Sequence, residues 1–272
     1  MAHPLDGADT RVARAREHFE LVEREWNALP PDAKAITLGS EYKSDTQKIE
    51  VKIASVPAID QRWSLELSEC LFNLRCALNY LTWELAKWNL AKKGETREPS
   101  RQTQYPLTTA EDQFPDRQVK DLHSNHVTII KWLQPYSPLY MTQFTGPILL
   151  GANPEGLANQ HPALRLQELD NADKHRLLEV SAIGPHVTRV GEFTAFDCEV
   201  ANPNFFMQAG TFQVGTKWAE FDVVSVTGPD PRVEMPAEVE PSLTFAGYPI
   251  LLGYAEIERY VRGALETFRS VF

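Results

Sequence analysis

The chain has 272 residues, of which 43% are hydrophobic and 24% charged; this is enough for one large domain or a domain with a subdomain, and too apolar for a disordered chain. A formal net charge of -10 argues against a nucleic-acid footprint spread over the whole surface; a local basic groove stays open, although no run of five or more Lys/Arg marks one. Three cysteines without a ligand or disulfide spacing, no membrane-length apolar stretch and no signal-like start lead us to expect a reduced, cytoplasmic protein with no membrane span.

The first element expected is a helix over 11–29. Val12, Ala15, Phe19, Val22, Trp26 and Leu29 fall on one stripe, Arg and Glu fill the other face, and Pro30-Pro31 ends it. Residues 36–57 read as a hairpin, because Ile49, Val51 and Ile53 alternate with Glu50 and Lys52 and a polar turn at Ser44-Asp45 precedes them. Residues 62–92 carry the strongest periodicity, with Leu67, Leu71, Leu74, Leu78, Leu81, Leu85 and Trp88 on one seam that packs against neighbouring helices.

The segment 93–116 is polar and proline-punctuated, so a loop is expected, with a turn at Phe114-Pro115. A helix is predicted over 117–134 on the line Val119, Leu122, His126, Ile129, Leu133, closed by Gln134-Pro135-Tyr136. Residues 137–160, rich in Pro and Gly, form a long candidate functional loop, and a helix over 161–180 follows with the stripe Leu166, Leu169, Leu177, Val180. Four or five antiparallel strands are expected over 187–245. A last helix over 249–270 presents Tyr254, Ile257, Val261, Ala264, Leu265 and Phe268.

The order lacks the strand-helix alternation of a parallel sheet, so the fold class is α+β: a helical bundle with an antiparallel β-rich C-terminal part. The division expected is a bundle over 1–184 with a hairpin insertion near 36–57, and a part over 185–272 whose final helix packs back on the bundle.

The chemistry-bearing residues cluster in Leu169-Asp170-Asn171-Ala172-Asp173-Lys174-His175-Arg176. Asp173 falls in register with the apolar stripe, so it faces other helices and needs a donor or a cation. Arg75, off the leucine seam of the long helix, can reach Asp170 or Asp173 as a bidentate partner or lie on a solvated face. His126 sits on an apolar stripe, where a histidine is usually packed in a core; beside Asp173 or His175 it becomes an acid or base. The candidate site residues are therefore Arg75, His126, Asp170, Asp173 and His175. The pairs His123/His126 and Asp170/Asp173 lack a recognised ligand spacing, so no metal is expected, and no cofactor motif is present.

Asn73-Leu74-Arg75-Cys76-Ala77-Leu78-Asn79-Tyr80-Leu81, followed by Trp83 and Leu85, resembles a segment of an uncharacterised bacterial family that reads Asn-Leu-Arg-Ser-Ala-Leu-Asp-His-Leu. Gln134-Pro135-Tyr136 and the 169–176 block resemble later parts of that family, which brings no activity with it. More distantly, an Arg followed five residues later by His on a bundle helix is the pattern of HEPN-type proteins. That resemblance implies a HEPN-like helical core, RNase chemistry of a toxin or defence system, a homodimer and RNA as partner. The chain departs from it where Tyr80 stands for the His and Asn79 for the usual Asp; a phenol is a poor base at neutral pH.

Three functions remain open from sequence, and whether the chain is an enzyme is among the open points. One is a non-enzymatic binding or structural protein with a buried polar network. The second is a HEPN-like RNase using Arg75 with a His/Asp pair. The third is a small-molecule enzyme with a pocket at the helix/strand junction beneath the 137–160 loop.

Overall fold

Helix α1 spans Asp6–Ala28 and turns Val12, Ala15, Phe19 and Val22 inward, as its stripe predicts. A computed structural model describes residues 3–137, 161–175, 180–183, 187–190, 192–206, 213–235, 237–239, 242–245 and 248–272, with backbone alone at 172–175, 180–183, 187–190, 237–239 and 242. After the short helix α2 (Pro31–Lys34), the hairpin β1 (Thr37–Lys43) and β2 (Lys48–Ser55) leads into the long helix α3, Arg62–Lys92. No Gly or Pro interrupts α3. It stops where Gly94 takes φ 75°, with Gly94 N–H on Ala91 C=O and Glu95 N–H on Leu90 C=O. This pair of bonds caps the last carbonyls, and only glycine adopts that backbone without strain.

Helices α4 (Asp116–Val119), α5 (Ser124–Trp132), α6 (Pro162–His175) and α7 (Ile250–Arg269) complete the described helices. The single helix expected over 117–134 is broken between Val119 and Ser124. Local polar groups win over periodicity there. His123 caps α5 by accepting from Asn125 N–H, and the Asp121 carboxylate takes Arg97 Nη2 at 2.9 Å and Ser100 N–H at 2.7 Å. The buried line becomes His126, Ile130 and Gln134 in place of His126, Ile129 and Leu133.

By contact the chain forms two compact units. One comprises residues 1–22, 64–178 and 252–272, the other 23–63 and 179–251. The first is helical. Its core takes Leu67, Leu71, Leu74, Leu78, Leu81 and Leu85 from α3 and Tyr254, Ile257, Val261, Ala264, Leu265 and Phe268 from α7, all buried.

The second unit is built on antiparallel pairing. Its strands are β3 (Val180–Ile183), β4 (Val187–Val190), β5 (Thr194–Phe196), β6 (Cys198–Phe205), β7 (Lys217–Val226), β8 (Arg232–Glu234), β9 (Ala237–Val239), β10 (Ser242–Phe245) and β11 (Tyr248–Pro249), beside the β1–β2 hairpin. The main sheet runs β1-β2-β7-β6, and smaller sheets pair β11-β10-β3, β4-β9 and β5-β8. The hairpin expected as an insertion into the bundle is joined through β2 to β7, so it belongs to this sheet. Val180, expected at the end of a helix, starts β3 and pairs with Phe245, since an apolar run at that length fits either periodicity.

Ile49, Val51 and Ile53 bury one face of the sheet against Trp218, Phe221 and Val223. On the other face, Glu41, Glu50 and Glu220 stand opposite one another across three strands, flanked by lysines. Lys217 holds Glu50 at 2.6 Å and Glu220 at 2.5 Å, and Lys52 reaches Glu50 at 2.8 Å. The like-charged row is stable because each carboxylate has a lysine from the next row. The protein is thus a mixed α+β chain with antiparallel sheets, and among the described residues no helix is long and apolar enough to cross a membrane.

Candidate functional site

The segment Tyr105–Thr108, expected in a polar loop, is buried in the helical unit, and Tyr105 has no exposed surface. A buried segment outside helices and strands must find partners for its backbone. Two residues one turn apart on α3 supply them: Asn79 Oδ1 accepts from Tyr105 N–H at 3.1 Å, and Arg75 Nη2 donates to Tyr105 C=O at 2.8 Å. Gln134, at the end of α5, does the same further on. Its Nε2 donates to Pro106 C=O at 3.1 Å and its Oε1 accepts from Thr108 N–H at 3.2 Å. Pro106 has no N–H to satisfy, which keeps the set of partners small.

Around Tyr105 the side chains continue this network. Tyr260 of α7 donates its hydroxyl proton to Leu133 C=O at 3.2 Å, so in the Tyr105–Tyr260 hydroxyl pair, 3.0 Å apart, Tyr105 is the donor. Burial pushes the Tyr105 phenol well above its ordinary value. His161 packs edge-on to Tyr260 with ring centroids 5.1 Å apart, and its Nδ1 accepts from Ala163 N–H. Burial drops its pKa to about 3, so the ring is neutral, with its proton on Nε2.

Arg75 and Asp170 are brought within electrostatic reach. Burial lowers the Arg75 pKa, and the charge of Asp170, itself buried on α6, is the largest influence opposing that shift. Arg75 Nη1 is shut away from solvent and makes no hydrogen bond among the described residues. Asp170 is therefore the described acid whose charge acts on Arg75. The side chains of Asp173 and His175 lie outside the described residues, as do residues 138–160 and the pocket expected beneath them.

His126 is not part of this cluster. It packs against Trp88 at 5.1 Å, His123 at 5.6 Å and Phe268 at 5.9 Å. Trp88 lies thirteen residues along α3 from Arg75, about 20 Å at the helical rise. Burial and the neighbouring His123 lower its pKa, so the ring is a neutral core histidine, too distant to share a proton with an atom held by Arg75. Tyr80 stands 41% exposed beneath Arg11, whose guanidinium lies 5.9 Å from the ring centroid, while Arg75 points inward. Among the described residues no group of three or more His, Cys, Asp or Glu side chains converges as a metal site would require.

Tyr105, Tyr260 and His161 carry the centre of the network and are missing from the sequence-derived site. Pro106, directly after Tyr105, was the one local sign; the burial of Tyr105 depends on partners far away in sequence. Apart from Arg75 Nη1, the donors of this cluster are spent within the chain. The donors of Arg75 Nη2, Gln134, Tyr105 and Tyr260 end on main-chain carbonyls or on one another, so they brace the fold. No protein-family model, characterised protein or solved structure matches the chain.

Proposed function

We propose that this protein is a non-enzymatic binding or structural protein whose distinctive polar residues brace its own backbone. The observation that carries this reading is the grip of Arg75 and Asn79 on both main-chain groups of Tyr105. A catalytic arginine must present its donors to a substrate, whereas the one hydrogen bond of Arg75 among the described residues ends on a carbonyl of the same chain. The residues that resemble family blocks, Asn73–Leu81 and Gln134–Tyr136, are the ones supplying these bonds. Their pattern then reflects folding of the helical unit and needs no active site to account for it.

One observation favours the second reading, a HEPN-like RNase: Arg75 Nη1 is a buried donor with no hydrogen bond among the described residues, beside the charge of Asp170. An RNA-cleavage assay separates the two. The brace predicts background cleavage by wild type and by Arg75→Ala alike, with a lower melting temperature for the variant. Cleavage above background that disappears in Arg75→Ala, while Asn79→Ala keeps it, refutes the brace as the role of Arg75.

A further inference from the structure

On the side of α7 that faces α1, away from Tyr260, lies a cleft of about 590 Å³. Its centre is Glu258, 3% exposed. Arg16 binds this carboxylate through two nitrogens, Nε at 3.0 Å and Nη2 at 2.6 Å, and Arg262 Nε reaches it at 2.7 Å. Burial alone would raise the Glu258 pKa, but the two guanidiniums reverse that and hold it below the ordinary value. One carboxylate thus fixes two arginines without neutralising both. Arg259 lines the same cleft, is exposed, and makes no hydrogen bond or ion pair with any described residue. Arg16 also pairs with Glu20 at 3.8 Å, a residue that does not line the cleft, so three guanidiniums stand against two carboxylates and leave this end of the cleft net positive, on a chain whose net charge is -10.

The floor is Gly263, in the middle of α7. A Cβ added there would meet nothing within 4 Å, and the residue takes ordinary helical geometry. Packing within the chain therefore does not require glycine, and helix propensity disfavours it. Its effect is to leave backbone open on the cleft wall between Arg259 and Glu266. At the far end, Arg269 is held by Asp9 at 3.0 Å and by Glu266 at 2.9 Å, which leaves acceptor oxygens and a net negative charge.

We propose that this cleft binds a small phosphate monoester. The dianionic phosphate would sit among Arg16, Arg259 and Arg262, and hydroxyl or ammonium groups of the ligand body would face Asp9 and Glu266. Charge selects the headgroup, because the roughly -1.5 to -2 charge of a phosphate monoester gains more from an excess of guanidiniums than a monoanion does. Size selects the class: the volume lies in the range of small-molecule pockets, about 300–1,000 Å³. Arg16 and Arg262 are already oriented by Glu258, so little side-chain freedom is lost on binding. The proposal does not depend on the brace around Tyr105, which uses other residues and another face of α7.

Titration calorimetry on the full chain with phenyl phosphate, phenyl sulfate and vesicles carrying phosphatidic acid tests it. At pH 7.5 phenyl phosphate should bind at least about tenfold tighter than phenyl sulfate, and the gap should close at pH 5.5, below the second phosphate pKa of roughly 6. Arg259→Met and Arg262→Met should each weaken phenyl phosphate about tenfold. Arg259→Met should leave the melting temperature unchanged, since Arg259 makes no hydrogen bond or ion pair with any described residue. Gly263→Ala should raise the melting temperature while weakening binding, an opposition that a purely structural glycine does not produce. Equal affinity for the two phenyl esters, binding indifferent to both arginine variants, or binding of vesicles without phenyl phosphate each overturns the proposal.

Discussion

Replacing Asn79 by alanine removes the acceptor that holds the amide of Tyr105, 3.1 Å away. Tyr105 has no exposed surface, so water cannot take over the bond. A buried N–H left without an acceptor costs about 1–3 kcal/mol. Taking about 2 kcal/mol, the melting temperature of a chain of this size should fall by about 4–8 °C. Two measurements check it together. Thermal unfolding by circular dichroism should show the shift, and native-state hydrogen exchange should show the Tyr105 amide exchanging about 30-fold faster. Asn79→Asp keeps an acceptor oxygen and should retain most of the protection. An alanine variant with unchanged melting temperature and unchanged exchange at Tyr105 would refute the brace, because the Asn79 bond would then carry no weight in the folded state.

Arg75→Met and Asp170→Asn, combined in a double-mutant cycle, should show coupling of about 0.5–3 kcal/mol, and strict additivity would mean that their charges do not interact. His161 has a folded pKa of about 3 against 6.5 when unfolded. Its folded value is depressed, so its stability is complete above pH 6.5 and declines as pH falls towards 3, by about 1.4 kcal/mol per pH unit. His161→Phe should flatten that part of a urea-midpoint profile. Lys217 and Lys52 hold Glu50 near a pKa of about 2 against 4.5, so its contribution is full above pH 4.5 and vanishes as pH falls through 2. Glu50→Gln should therefore be less stable than wild type at pH 7, equal to it near pH 2, and closest to it in high salt. Gly228→Ala drives a Cβ into the Asp197 carboxylate, which is held in place by Asp230 N–H on a residue at φ 54°; a loss of about 1–3 kcal/mol by denaturant titration is expected.

Periodicity revealed the elements whose burial is decided within one segment. The leucine seam of α3, the alternation of Ile49, Val51 and Ile53, and the apolar face of α7 all emerge buried. It failed where short-range polar bonds or distant partners decide. The 117–134 stripe breaks because His123 and Asp121 have better local hydrogen bonds than a continuous helix offers. Val180 pairs with Phe245, sixty-five residues away, a partner no local pattern specifies. Tyr105 lies in a stretch whose composition marks a loop, and it is buried because Asn79, Arg75 and Tyr260 from two other helices meet there. The inward direction of Arg75 was one of two readings open from its position on α3, and Asp170 is the described acid whose charge acts on it.

Residue type alone does not separate an arginine that folds a protein from one that binds a ligand; the fate of its donors does. Arg75 is buried and gives Nη2 to a main-chain carbonyl, so its removal should register first in stability. Arg259 is exposed in the α1–α7 cleft and gives no hydrogen bond or ion pair to any described residue, so its removal should register in ligand affinity and leave stability alone. Arg16 and Arg262 stand between these cases: each commits part of its guanidinium to Glu258, which fixes the geometry of the nitrogens that remain. Loss of Glu258 should therefore register in both properties at once, because it leaves Arg262 without an ion-pair partner among the described residues and Arg16 with Glu20 alone. Glu258→Gln keeps the shape but removes the charge. It should lower the melting temperature while making the cleft more positive yet less ordered, so that phenyl phosphate affinity rises less than the added charge alone would dictate. A variant that gains the full electrostatic increment at unchanged stability would show that the two arginines are not held by Glu258 at all.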